Sequence, residues 1–148
     1  MESECIFCKI VEGKVPSAMV WQDDDYACFL DKYPMNPGHA LVVPKKHYPF
    51  LLDMTLPAVG KLFEHTAMIM YAICKVLKPD GVNIGQSNGE VASQTVFHVH
   101  VHIIPRFKGD SEGSFWPERK KFTLDRLNDL AEQIAKAIPT KRKDRQSS

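Results

Sequence analysis

The sequence predicts an α+β domain in which an antiparallel sheet of about five strands packs with two principal helices. Three observations predict it. Short apolar segments at 19–22, 26–30, 40–43, 82–86 and 94–105 are rich in β-branched or aromatic residues and bounded by turn residues. Segments at 55–77 and about 123–138 instead repeat their apolar residues at three and four. A chain of 148 residues also suits one domain that buries a core of its own.

The elements follow in order. Cys5 and Cys8 bracket a short N-terminal turn, and Lys9 to Gly13 follows, apolar at Ile10 and Val11. The segments either side of Asp23, Asp24 and Asp25 read as a hairpin over an acidic, solvated turn. Pro34, Asn36, Pro37 and Gly38 make a loop, after which the strand at 40–43 is closed by Pro44. Asp53 and Thr55 are candidate N-caps, and Pro57 suits a first helical turn. Val59, Leu62, Phe63, Thr66, Met70, Ile73 and Leu77 form the expected buried face, and Pro79 and Gly81 end the helix. His65 has no partner nearby in sequence and is expected at the surface. Val82, Ile84 and Gln86 share one face of the next strand. The polar loop 87–93 then leaves several backbone N–H groups free to face an anion. Beyond Pro105 the chain is loop-like, until Thr123 caps a helix whose apolar face is Leu124, Leu127, Leu130, Ala131, Ile134 and Ile138. One domain is therefore expected over 1–139, followed by a basic, disordered tail at 140–148.

Composition narrows the function. A hydrophobic fraction of 44% and a charged fraction of 25% are those of an ordinary globular protein, and a net charge of +1 gives no reason to expect nucleic acid as a partner. No apolar run approaches the roughly 18 to 20 residues that span a bilayer, so no membrane partner is expected. Met-Glu-Ser-Glu-Cys has neither the basic nor the apolar region of a leader, and a cytoplasmic location is expected. Cys28 and Cys74 sit alone in apolar surroundings and read as small buried residues. In a reducing compartment the C-x-x-C of Cys5 and Cys8 points to metal or thiol redox chemistry.

Residues 94 to 105 read Gln-Thr-Val-Phe-His-Val-His-Val-His-Ile-Ile-Pro and hold half of the six histidines in the chain. Alternation with Val99, Val101 and Ile103 reads as a half-buried strand, which puts His98, His100 and His102 on one face. Neighbouring members are then about 6.6 Å apart at the backbone and the outer two about 13 Å. Metal–nitrogen bonds of about 2.0–2.1 Å let one ion hold two adjacent members more readily than three. Three uses compete. The histidines can be polar residues on a wet edge strand, or part of a catalytic metal site with a third ligand and an open water position. Alternatively, one imidazole is a nucleophile toward phosphorus. The preceding loop favours the nucleophile, because the donors of Ser87, Asn88, Gly89, Ser93, Gln94 and Thr95 suit phosphate oxygens.

The row His-Val-His-Val-His-Ile-Ile resembles the signature of the histidine triad superfamily, in which three histidines alternate with apolar residues. Ile6-Phe7-Cys8-Lys9-Ile10, Phe29-Leu30-Asp31, the block from Gly38 to His47, and Gln94-Thr95-Val96-Phe97 are similar to blocks of its Hint-like branch, over about residues 5 to 110. Bacterial-type members with an N-terminal C-x-x-C are the most similar in appearance. The resemblance implies the superfamily's own fold and a nucleotide hydrolase or transferase. It would cleave at the α-phosphate of nucleoside phosphoramidates or dinucleotides, with AMP derivatives and other purine nucleotides as substrates. It further implies His100 as the nucleophile, His102 against the phosphate, His98 as the third triad member, and Gln94 and Thr95 at the phosphate or leaving group. Asp31 would accept ribose hydroxyls, Ile6, Phe7, Ile10, Val15, Phe29 and Leu30 would form the base slot, and His39 would orient the triad. No catalytic cofactor is required. Ser87 stands where relatives often have Asn or Gln, and Ser93 where glycine is common, so contacts to the phosphate at both positions differ from the usual pattern. A catalytically weak nucleotide-binding or scaffold protein and a metal-dependent hydrolase are the alternatives.

Relatives with this C-x-x-C resemble zinc proteins, which implies structural zinc on Cys5, Cys8, His47 and His98. The alternative is a pair of reduced cysteines without metal. The likeness also implies a homodimer. Trp116 and Pro117 fit either a contact to a partner subunit's site or a plain core or lid contact.

Overall fold

The computed structural model describes residues 4–111 and 115–139. The five strands form one sheet, β1 (Met19–Gln22), β2 (Tyr26–Leu30), β3 (Ala40–Pro44), β4 (Gly81–Gly85) and β5 (Val101–Arg106), in the order β1-β2-β3-β5-β4. Every neighbouring pair is antiparallel. The helices are α1 (Ile6–Val11), α2 (Leu56–Leu77) and α3 (Leu124–Ala137). This is the fold class the sequence predicts. The basic tail lies outside the described residues.

β2 and β3 are buried at every position because both of their faces are covered. On one face Cys28, Leu30, Ala40, Val42, Val101 and Ile103 pack beneath Leu62, Ile69 and Ile73 of α2 and Leu127, Ala131 and Ile134 of α3. Fully burying each of these valine, leucine and isoleucine side chains stabilises by about 1.5–3 kcal/mol. On the other face Ala27, Phe29, Leu41 and Val43 pack with Phe7 of α1. That second face carries the chemistry, because residues flanking core positions alternate onto it: Asp31 after Leu30, His39 before Ala40, and His102 between Val101 and Ile103.

Helix α2 begins as expected, with Thr55 Oγ1 accepting the Ala58 N–H at 3.3 Å and Pro in the first turn. It ends at Lys78, which is left-handed (φ 48°), before Pro79 can break the ladder. Phe63, expected on the buried face, is 38% exposed, since its neighbour Leu62 takes the position over the sheet. His65 is not an unpartnered surface residue. Its ring stacks on Tyr26 with centroids 4.6 Å apart, its Nδ1 donates to the Lys61 carbonyl, and its Nε2 lies 3.1 Å from Asp23 Oδ2. Asp23 also holds the hairpin turn, its Oδ1 accepting the N–H of Asp25 and Tyr26.

Two further elements differ from expectation. Residues 6–11 form a helix, with Cys5 as its N-cap. The histidine segment is paired as a strand only from Val101, so His98 and His100 precede β5 instead of lying within it. The partner strand explains this. β3 ends at Pro44, which has no N–H for a ladder, and the Pro44 carbonyl is taken by His98 Nε2 at 2.7 Å. Val99 N–H turns instead to the Tyr48 carbonyl, 2.7 Å away.

Gly38 fits the loop against the core. At φ 87° it occupies the left-handed region, and a Cβ there would lie 2.3 Å from Leu77 Cδ1 and 3.2 Å from Pro105 Cγ. That close approach brings His39 to the start of β3, the central strand, next to β5. Among the described residues no helix is long and apolar enough to cross a membrane.

Candidate functional site

The three triad histidines converge at the start of β5 even though only His102 lies in the strand. His100 and His102 have ring centroids 5.0 Å apart, and Phe7 stands 5.0 Å from His100 edge-on. Each imidazole has its tautomer set by a neighbour. His100 Nδ1 donates to the His98 carbonyl at 2.7 Å, which leaves Nε2 as an unprotonated lone pair. Burial, opposed by that hydrogen bond and by Asp31, lowers the pKa of His100 and keeps the ring neutral. A neutral imidazole with one free nitrogen is a nucleophile.

A second chain of hydrogen bonds sets His102. Met35 N–H donates to His39 Nδ1 at 3.1 Å, so the proton of neutral His39 sits on Nε2. That Nε2 lies 2.9 Å from His102 Nδ1 and donates to it, which places the proton of His102 on its own Nε2. His102 thereby offers a donor where His100 offers a lone pair. Burial, opposed by Asp31, brings His39 down to about 4. Burial and the adjoining His100 and His39 bring His102 down to about 3. Asp31 Oδ2 lies 3.6 Å from His39 Nε2, and Oδ1 accepts the Tyr33 N–H at 2.9 Å. His39 therefore stands one hydrogen bond from His102 and within reach of Asp31.

Cys5, Cys8, His47 and His98 come together as a group able to bind a metal, with one ligand atom from each within 4.8 Å of the others. Their approach follows from local structure. Cys5 caps α1, its Sγ accepting the Cys8 N–H at 3.5 Å, so the two sulfurs share the first turn. Sulfur-to-Nδ1 distances are 3.4 Å from Cys5 to His98, 3.3 Å from Cys8 to His47 and 3.5 Å from Cys8 to His98. A tetrahedral site with bonds of about 2.3 Å to sulfur and 2.0 Å to nitrogen has edges of about 3.5 Å, so the donors fit zinc. His98 Nε2 donates to the Pro44 carbonyl, leaving Nδ1 as the free lone pair a metal requires. Asp31, His39 and His102 also lie within metal-binding distance of one another. There, however, the two imidazoles share a direct hydrogen bond and Asp31 Oδ2 already accepts from Arg119 at 2.9 Å, which leaves no vacant set of lone pairs for a cation.

The base-slot residues divide. Phe7 and Phe29 meet edge to face with centroids 5.4 Å apart and Ile10 packs against their cluster, while Ile6 is exposed. Val15 is half-buried and lies outside that cluster. Leu30 does not belong to the slot. Adjacent strand residues point to opposite faces, and Leu30 is in the main core beneath α2, 3% exposed.

The loop before the triad is organised by Gln94. Its buried side chain accepts the Gly89 N–H at 2.7 Å and donates to the carbonyls of Pro49 and Val96. Ser93 is left-handed (φ 76°), the conformation for which glycine is ordinarily chosen. Thr95 and Ser93 are exposed, and Ser87 is half-buried. Arg119 gave no signal in the sequence. It lies in an aperiodic Pro-Glu-Arg-Lys-Lys run, yet its Nη1 reaches both Asp31 Oδ2 at 2.9 Å and the Tyr33 carbonyl at 2.7 Å.

A HIT domain model matches residues 12–109, and the chain belongs to that family. An adenylylsulfatase of Arabidopsis thaliana is 38% identical over 110 residues, covering 74% of this chain and 56% of the relative. Among solved structures, a hypothetical histidine triad nucleotide-binding protein of Sulfolobus tokodaii superposes with a TM-score of 0.82 at 32% identity, covering 90% of this chain and 91% of the other. A Zn-bound histidine triad family protein of Mycobacterium smegmatis gives 0.81 at 30% identity, covering 100% of both chains. These neighbours carry the same fold.

Proposed function

We propose that this protein is a nucleotidyl hydrolase or transferase that cleaves at the α-phosphate of nucleoside 5′-phosphate derivatives, adenosine phosphoramidates foremost, through a covalent nucleotidyl-histidine. The observation that carries this is the 2.7 Å hydrogen bond from His100 Nδ1 to the His98 carbonyl, which presents Nε2 as a lone pair beside the donor of His102. His100 Nε2 attacks phosphorus, and the phosphorus–nitrogen bond forms as the bond to the leaving group breaks. The leaving group departs with a proton delivered in the site. Water then attacks the same phosphorus, the bond to His100 breaks, and the nucleoside monophosphate is released.

His102 donates to a phosphate oxygen through Nε2 in this scheme. Thr95, Ser87 and Ser93 offer hydroxyls around the phosphate, and Gln94 shapes the loop that presents them. Asp31 takes the ribose hydroxyls, while Ile6, Phe7, Ile10, Val15 and Phe29 receive a purine. Zinc held by Cys5, Cys8, His47 and His98 is structural, tying α1 to the segment before β5. The chain acts as a homodimer in the cytoplasm, as one domain over residues 1–139. The adenylylsulfatase relative and the Zn-bound neighbour support the reaction class and the metal.

Turnover of adenosine 5′-phosphoramidate by the zinc-loaded protein and by His100→Ala tests the assignment. Loss of at least about a thousandfold in kcat is expected for the variant. Wild-type turnover at the level of the variant would instead mark a nucleotide-binding protein without chemistry.

A further inference from the structure

Segment 115–120 is fastened alongside the site at both ends. Arg106 Nη2 donates to the Phe115 carbonyl at 3.0 Å, and its guanidinium lies 5.8 and 5.7 Å from the ring centroids of Phe115 and Trp116. At the other end the Lys120 N–H donates to the Pro34 carbonyl at 2.7 Å, and Lys120 Nζ donates to the Met35 carbonyl. Between these anchors Arg119 Nη1 donates to Asp31 Oδ2 and to the Tyr33 carbonyl. Asp31 is only 12% exposed at its side chain and stands 3.6 Å from His39 Nε2, which leads directly to His102 Nδ1.

That chain works in one charge state only. A proton added to His39 would go on Nδ1, where Met35 N–H already donates, setting two donors against each other. A proton added to His102 would go on its Nδ1, against the Nε2–H of His39. An unpaired carboxylate 3.6 Å from His39 favours the first of these errors. The charged and titratable groups facing the pair are Asp31 from the end of β2, His100 from the approach to β5, and Arg119 from the 115–120 segment. Arg119 is the member whose charge opposes that of Asp31.

We propose that Arg119 is a positioning residue of the site: by pairing with Asp31 it extends toward acid pH the range over which His39 and His102 stay uncharged and the proton of His102 stays on Nε2, facing substrate. This rests on the assignment of His102 as the phosphate donor. It adds a basic residue outside the span of residues matched to the HIT domain. Burial gives the largest push toward neutrality at both histidines, Asp31 opposes it at both, and Arg119 acts in the same direction as burial at both.

The test compares zinc-loaded, ¹⁵N-labelled wild type with Arg119→Gln and Arg119→Lys. Imidazole ¹⁵N shifts of His39 and His102 are followed against pH, beside the pH profile of kcat/KM on adenosine 5′-phosphoramidate. Arg119→Gln is expected to raise the protonation midpoints by about one pH unit, a tenfold gain in proton affinity, and to move the acid limb of kcat/KM upward with them. Arg119→Lys should return both toward wild type. Unchanged midpoints and tautomers in Arg119→Gln, whatever its melting temperature, would overturn the proposal, as would a lysine variant that behaves like the glutamine one. If the wild type shows no turnover, the enzymatic assignment fails, and the ¹⁵N titration still decides the part played by Arg119.

Discussion

His39 Nε2 lies 2.9 Å from His102 Nδ1, and the direction of that hydrogen bond is set at its far end by Met35 N–H, which donates to His39 Nδ1. His39 is completely buried, so neither of its nitrogens can exchange these partners for water. His39→Ala leaves the half-buried Met35 N–H and His102 Nδ1 without their partner, for a cost of about 1–3 kcal/mol. It also frees the His102 ring, and kcat is expected to fall roughly ten- to a hundredfold. Denaturant unfolding and steady-state kinetics on the same preparation check both, and a variant with wild-type kcat contradicts the chain of donors.

Stability should depend on pH through the same pair. His39 and His102 are held at about 4 and about 3, below the 6.5 of a free histidine, so as pH falls the unfolded chain takes up protons first. Their contribution is complete above about pH 6.5 and declines as pH drops toward 4, by about 1.4 kcal/mol per unit for each histidine. Unfolding free energies between pH 7.5 and 4.5 should therefore fall. In His39→Gln the slope should be shallower, and an equal slope would show that His39 does not titrate between folded and unfolded states.

Removal of the metal should act on stability before chemistry. Stripping zinc with a chelator, or Cys8→Ser, is expected to lower the melting temperature by about 10 °C or more, since about 3–4 kcal/mol corresponds to that in a chain of this size. At a temperature where the stripped protein stays folded, turnover should persist. Activity that vanishes at an unchanged melting temperature and returns with metal identifies a catalytic ion instead.

A side chain at Gly38 would have to displace the terminal methyl of Leu77. Gly38→Ala carries about 1–2 kcal/mol for the left-handed backbone and about 1–3 kcal/mol for crowding Leu77 and Pro105, so a loss of about 2–5 kcal/mol is expected by denaturant unfolding. Gly13 has a similar φ of 78° but open space around it, so Gly13→Ala should cost only the backbone part.

Residues whose chemistry is periodic were legible in the sequence. Leu62, Thr66 and Ile73 announce the face of α2, and the alternation at 98–102 announces three imidazoles brought together. Periodicity does not say where hydrogen-bond pairing begins. His98 and His100 leave the ladder because a proline on β3 ends it and a side chain takes the last carbonyl, which is a contact between residues 54 apart in sequence. Leu30 was misplaced for a simpler reason: a block resemblance groups Phe29 with Leu30, whereas a strand sends them to opposite faces. His65 and Arg119 were missed because their partners, Asp23 and Asp31, are 42 and 88 residues away and follow no local pattern.

The central claim is that His100 carries the nucleotide. Rapid-quench mass spectrometry of the zinc-loaded protein mixed with adenosine 5′-phosphoramidate tests it most directly. A mass increase of one adenylyl group, mapped to His100 and absent from His100→Ala, is the expected result. Full turnover with no nucleotide on His100 at any time point, or with the group on another residue, would contradict it.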